Sequence, residues 1–168
     1  LGDRPDLPER LYGAFTDRSN YRLFDDVLPV LQDLRDRGLM LGVISNFEEW
    51  LERLLAELGI AGLFDVQVIS GIEGVEKPDP AIFALALART GTSAPECVYV
   101  GDNPRFDTDP AEALGMRGVL IDRRERYAAH AGPGVRITSM ADLPGAIGLT
   151  SVQAAAAATA ANTAIGPV

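Results

Sequence analysis

Apolar and polar positions along this chain fall into two alternating patterns, short apolar-rich runs and longer stretches with apolar residues at helical spacing. The runs at 39–44, 66–69, 97–100 and 117–121 have strand length, and turn-forming residues bound them. The first is continuously apolar, which predicts a strand buried on both faces. Between the runs, Val27, Val30, Leu31 and Leu34 share a helical face, with Asp25 or Asp26 as cap and Gly38 as the stop. Residues 47–58 predict a strong amphipathic helix carrying Trp50, Leu51, Leu54, Leu55 and Leu58 on one side, ended by Gly59. Asp79 as N-cap with Pro80 in the first helical position starts another helix, reaching about Arg89. A helix over 108–114, a short edge strand over 135–138 and a Ser139-capped helix toward Ala146 complete the pattern. Such alternation predicts right-handed βαβ crossovers, hence an α/β, Rossmann-like, doubly wound and mainly parallel sheet.

The ends of the chain differ from its middle. Residues 1–22 are polar and punctuated by proline, with a helical possibility around 7–15 but no core of their own. Residues 23–149 form the expected α/β core. Residues 150–168 are rich in Ala and Thr, with an alanine run at 154–158, and are expected to be a frayed helix or disordered tail. At 168 residues the chain fits one domain. Its net charge of −9 argues against nucleic acid or an anionic membrane as a bulk partner. Cys97 is the only cysteine, so no intrachain disulfide can form, and a reducing cytoplasm is the expected location. No apolar stretch is long enough to span a bilayer. The sequence opens on Leu1 and its first methionine is Met40, which leads us to expect a missing N-terminal segment.

Three segments carry candidate chemistry, each where a predicted strand gives way to a loop or helix: Ile44-Ser45-Asn46, Glu76-Lys77-Pro78-Asp79-Pro80, and Gly101-Asp102 followed by Asp107. Open α/β sheets gather ligands at such strand ends. Ser45 and Asn46 stand at an expected helix start, where outward N–H groups favour an anion, although either residue equally suits a plain N-cap. Lys77 is the only lysine in the chain, all other basic residues being Arg; its compact charge suits a phosphate or neighbouring carboxylates. Asp102 and Asp107 can offer one direct and one outer contact to a hard cation such as Mg²⁺. They also suit turn and cap roles. The lone His130 sits in a polar stretch, so no Ser-His or Cys-His catalytic pairing is expected. No G-x-G-x-x-G or Walker A pattern occurs.

The ordered set of three resembles the haloacid dehalogenase-like (HAD) hydrolase superfamily over roughly 24–148. Ile44-Ser45-Asn46 is similar to that family's second motif, whose Ser or Thr binds the phosphoryl group. Lys77 within Glu76-Lys77-Pro78-Asp79-Pro80 is similar to the third, and Gly101-Asp102 with Asp107 to the acidic fourth motif that binds Mg²⁺. The resemblance implies catalytic roles for Ser45 and Lys77, substrate binding by Ser45, Asn46 and Lys77, and metal binding by Asp102 and Asp107. It also implies hydrolysis of a small phosphomonoester through an aspartyl-phosphate. The family's first motif, an apolar strand leading into Asp-x-Asp, has no match here. The resemblance therefore implies that the sheet's central strand is absent, that 1–22 is the remnant of a helical cap, and that the isolated chain is inactive. The alternatives are a non-catalytic HAD-like binding or regulatory module and, more weakly, a phosphoacceptor receiver, whose usual order of acidic pair and lysine is reversed here.

Overall fold

The computed structural model describes residues 6–130 and 132–149. The expected Ala-rich tail at 150–168 lies outside the described residues. After helix α1 (Leu7–Thr16) and a short turn, α2 (Val27–Asp36) leads into strand β1 (Gly42–Ser45). Helix α3 (Leu51–Glu57), strand β2 (Val66–Ile69), the single helical turn α4 (Ser70–Glu73) and helix α5 (Pro80–Thr90) follow. Then come β3 (Val98–Gly101), α6 (Asp109–Ala113), β4 (Arg117–Ile121), β5 (Val135–Ile137) and α7 (Leu143–Ala146).

All strand pairs are parallel, and they form two sheets rather than one. β1 pairs with β2, while β3, β4 and β5 pair in that order. Helix α5 spans the division. Its Ile82, Phe83 and Ala86 lie in one cluster with Val66 and Val68 of β2, against which Ile44 of β1 and Tyr99 of β3 also pack. On the other face of the larger sheet, Val30 and Leu34 of α2 meet Val119, Ile137 and Leu143. Helices thus cover both faces, as the doubly wound pattern requires.

The division has a cost that shows in burial. β2 and β4 are largely buried, whereas β1 and β3 are only half-buried along their length. This corrects the expectation that the run at 39–44 is buried on both faces. Among the described residues β1 and β3 each have a partner on one edge only, and an open edge leaves apolar strand surface uncovered.

Local chemistry explains where helices begin. Asp79 caps α5, its Oδ1 accepting from the Ala81 N–H at 2.9 Å, and Gly91 ends that helix with φ of 66°. The helix expected over 47–58 instead starts at Leu51. The reason is that the Phe47 backbone is diverted: Ser70 Oγ accepts from its N–H at 3.0 Å, and the Gly71 N–H donates to its carbonyl at 2.9 Å. Consequently Ser45 is not at a helix N-terminus, and the dipole argument for an anion there does not apply. The helix expected from Thr108 is preceded by a π-helical turn, Pro104–Thr108.

Asp26 precedes α2 yet makes no side-chain cap bond. Its carboxylate accepts instead from both terminal nitrogens of Arg123, each at 2.8 Å, from Ser139 Oγ at 2.6 Å and from the Met140 N–H at 2.9 Å. That one carboxylate fastens the start of α2 to the segments after β4 and β5. The Arg123 hydrogen bonds, followed by those of Ser139 and Met140, outweigh burial and hold its pKa well below the usual carboxylate range. A depressed native pKa stabilises the fold above the unfolded value of about 4 and loses that contribution as pH falls below it. We expect Asp26→Asn to be less stable than the parent at pH 7, with a shallower fall in stability below pH ~4, as read from urea midpoints across pH.

Candidate active site

The parallel register brings Ser45 and Gly101 to the C-terminal ends of their strands, Ser45 opposite Ile69 and Gly101 opposite Leu120. Immediately after β1, the Asn46 carboxamide grips the main chain of Lys77. Its Oδ1 accepts from the Lys77 N–H at 2.7 Å, and its Nδ2 donates to the Lys77 carbonyl at 2.8 Å. The Lys77–Pro78 peptide is cis. Lys77 then runs inward, its side chain only 13% exposed, and donates from Nζ to Asp107 Oδ1 at 2.5 Å. Two residues that are far apart in sequence are thereby joined across the two sheets.

Tyr99 of β3 completes this contact, its hydroxyl lying 3.2 Å from both Lys77 Nζ and Asp107 Oδ1. Burial, then the charge and hydrogen bond of Asp107, and then the charge of Asp102 push the phenol far above its ordinary pKa. Tyr99 is therefore a neutral donor to Asp107. The other oxygen of Asp107 accepts from the Asn103 N–H at 3.0 Å, so both carboxylate oxygens are engaged. Gly101 makes room for the carboxylate: a Cβ there would lie 2.2 Å from the Asp107 Cβ. Asp107 sits within the π-helical turn and does not cap the following helix.

Asp102 is different in kind. Its side chain is 73% exposed at the tip of β3, with Arg126 Nη2 4.0 Å away. Hard divalent cations take oxygen ligands, and Mg²⁺ commonly binds through one or two carboxylates plus water and substrate oxygens. Asp102 fits a direct ligand, and Asp107, occupied by Lys77, Tyr99 and Asn103, fits a position behind it. Among the described residues no group of three or more His, Cys, Asp or Glu gathers to hold a metal.

The structure therefore joins Asn46, Lys77 and Asp107 directly. Ser45 is next to that cluster along the chain, and Asp102 is close enough to act on the Tyr99 phenol. Sequence reasoning missed Tyr99, and placed Gly101 in the motif without revealing that it makes room for Asp107. A tyrosine in an otherwise apolar strand was the available signal, because a buried phenol needs a partner.

Fold and site together define an open α/β domain in which an ammonium and a carboxylate meet across two parallel sheets, close to the ends of β1 and β3. A model of the haloacid dehalogenase-like hydrolases matches residues 2–115, and the chain belongs to that family. It is 38% identical over 124 residues to haloacid dehalogenase-like hydrolase domain-containing protein 3 of Danio rerio, covering 74% of this chain and 51% of the relative. It is 34% identical over 145 residues to a phosphoserine phosphatase of Thermus thermophilus, covering 84% and 58%. The chain thus spans about half the length of these curated relatives. Among solved structures, a HAD phosphatase from Thermococcus onnurineus superposes with a TM-score of 0.75 at 26% identity, covering 90% of this chain and 68% of the other.

Gly101→Ala tests the geometry. The added methyl must displace Asp107, so we expect a loss of stability of about 1–3 kcal/mol by urea unfolding, accompanied by weakening of the Lys77–Asp107 contact.

Proposed function

We propose that this chain carries the phosphoryl-binding, lysine and acidic elements of a Mg²⁺-dependent phosphatase acting on a small phosphomonoester. The observation that carries this reading is the contact of Lys77 with Asp107 at the ends of strands belonging to two separate parallel sheets. Phosphoryl transfer needs chiefly positioning and charge stabilisation, which suits this set of side chains. Ser45, whose hydroxyl has no hydrogen-bond partner among the described residues, would donate to a phosphoryl oxygen. Lys77 would balance negative charge on the transferring group and on the attacking carboxylate. Asp102 would hold the cation, with Asp107 fixing Lys77 and supporting the metal's outer shell. When bound, Mg²⁺ would neutralise phosphoryl oxygens and orient the group in line with its attacker.

The attacking carboxylate would come from a further strand lying between β1 and β3. Two features support that: the half-exposed apolar residues of both strands, and their single-edged pairing. An Asp there would form and then release an aspartyl-phosphate. Helix α1 would belong to a cap over the strand ends. Its Phe15 ring lies 5.2 Å from both Phe47 and Trp50, beside Asn46. The acidic Gly101-Asp102 segment with Asp107 favours phosphatase chemistry over the family's metal-independent dehalogenase branch.

The 168-residue chain is expected to release no p-nitrophenol from p-nitrophenyl phosphate with Mg²⁺ present. A longer version that includes an upstream Asp-bearing strand is expected to turn over, and Lys77→Met to lower its kcat about 10²–10³-fold. Turnover by the 168-residue chain alone would overturn the need for the further strand. Phosphate binding without turnover in the longer version would instead favour a binding module.

A further inference from the structure

We propose that Asn46 is the positioning residue for Lys77, locking the lysine's main chain to the tip of β1. This rests on the phosphatase reading only for its catalytic meaning, since the geometry is independent of it. Each non-proline residue presents one backbone N–H and one C=O, and a carboxamide presents an acceptor and a donor side by side. Here the two bonds, 2.7 and 2.8 Å, both go to Lys77 itself. The orientation of the carboxamide follows, because reversing it would set donor against donor and acceptor against acceptor. No other short side chain reproduces this pair. Aspartate lacks the donor, and serine lacks the second atom.

The consequence reaches the ammonium. Lysine has much rotamer freedom to lose, so a catalytic lysine gains from being fixed at both ends. At the far end, Nζ meets Asp107 at 2.5 Å and the Tyr99 hydroxyl at 3.2 Å. At the near end, the turn that carries Lys77 is closed by Asp79 N–H donating to the Glu76 carbonyl at 2.9 Å, and Asn46, just past β1, hydrogen-bonds that turn through Lys77. The carboxamide atoms are thus already committed to Lys77, and this is the role we assign them in place of direct contact with substrate.

Lys77 being the chain's single lysine makes the test direct. Protein labelled with ¹⁵N,¹³C-lysine gives one backbone amide signal and one pair of ε protons. In Asn46→Ala we expect the Lys77 amide to exchange roughly tenfold faster. We also expect its ε protons, distinct in the parent, to collapse to one averaged shift. Unchanged exchange together with distinct ε protons would overturn the proposal. If Asn46→Ala fails to fold, Asn46→Asp keeps the acceptor and loses the donor. Exchange faster than the parent, with reduced ε separation, then supports the role, and parent-like values for both overturn it. Neither readout depends on catalysis. A chain whose longer version binds and hydrolyses no phosphate ester, yet shows these changes, would retire the phosphatase reading and leave the positioning role intact.

Discussion

The buried contact between Lys77 and Asp107 is the constraint around which this domain is arranged. An ammonium and a carboxylate, 13% and 6% exposed, have both given up most of their water. Desolvation of such a pair offsets much of its attraction, so the contact is weak evidence for stability in its own right. It becomes tolerable because the remaining valences are filled. Tyr99 and the Asn103 N–H donate to the carboxylate, and Gly101 leaves the space that it occupies. Removing any one of these would leave a buried charge under-satisfied rather than merely loosen a contact.

That contact also crosses a structural division. Lys77 leaves the loop after β2 and α4, while Asp107 follows β3, and these strands belong to different sheets. Between the sheets, α5 supplies apolar packing through Phe83 and Ile82, both wholly buried. The ion pair supplies the polar link at the strand ends. Ligand sites in open α/β sheets lie in the crevice at the carboxyl ends of strands, and here that crevice is the place where the two sheets part.

Much of this was legible in the sequence, and the exceptions are instructive. Strands β2, β4 and β5 and helices α2 and α5 lie where apolar periodicity and caps indicate; the Ser45 and Asp102 motifs sit at strand ends as expected, whereas the helical turn α4 separates β2 from the Lys77 motif. Periodicity failed at residues 47–50, because a helical stripe cannot reveal that Ser70 and Gly71, distant in sequence, capture the Phe47 backbone. It failed again for β1, which among the described residues pairs along one edge only and stays half-buried despite its apolar run. Asp26 reads as a cap and acts as a clamp on Arg123, Ser139 and Met140 for the same reason, since its partners come from over a hundred residues along in two cases and are chosen by topology. Asn46 was legible as a site residue by position, but the atoms it holds were not.

The choice of lysine at position 77 follows from the same crowding. Every other basic side chain in the chain is arginine, including Arg123, whose planar fork meets Asp26 through two parallel bonds. At position 77 the carboxylate that would receive such a fork is already shared: one oxygen of Asp107 faces Tyr99, and the other accepts from Asn103. A guanidinium seeking both oxygens would have to displace the Asn103 N–H, and with it the start of the turn that holds Asp107. A compact ammonium asks for one oxygen of Asp107 and still reaches the Tyr99 hydroxyl with another proton. The residue type, the turn geometry and the glycine beside Asp107 are therefore one solution to one packing problem.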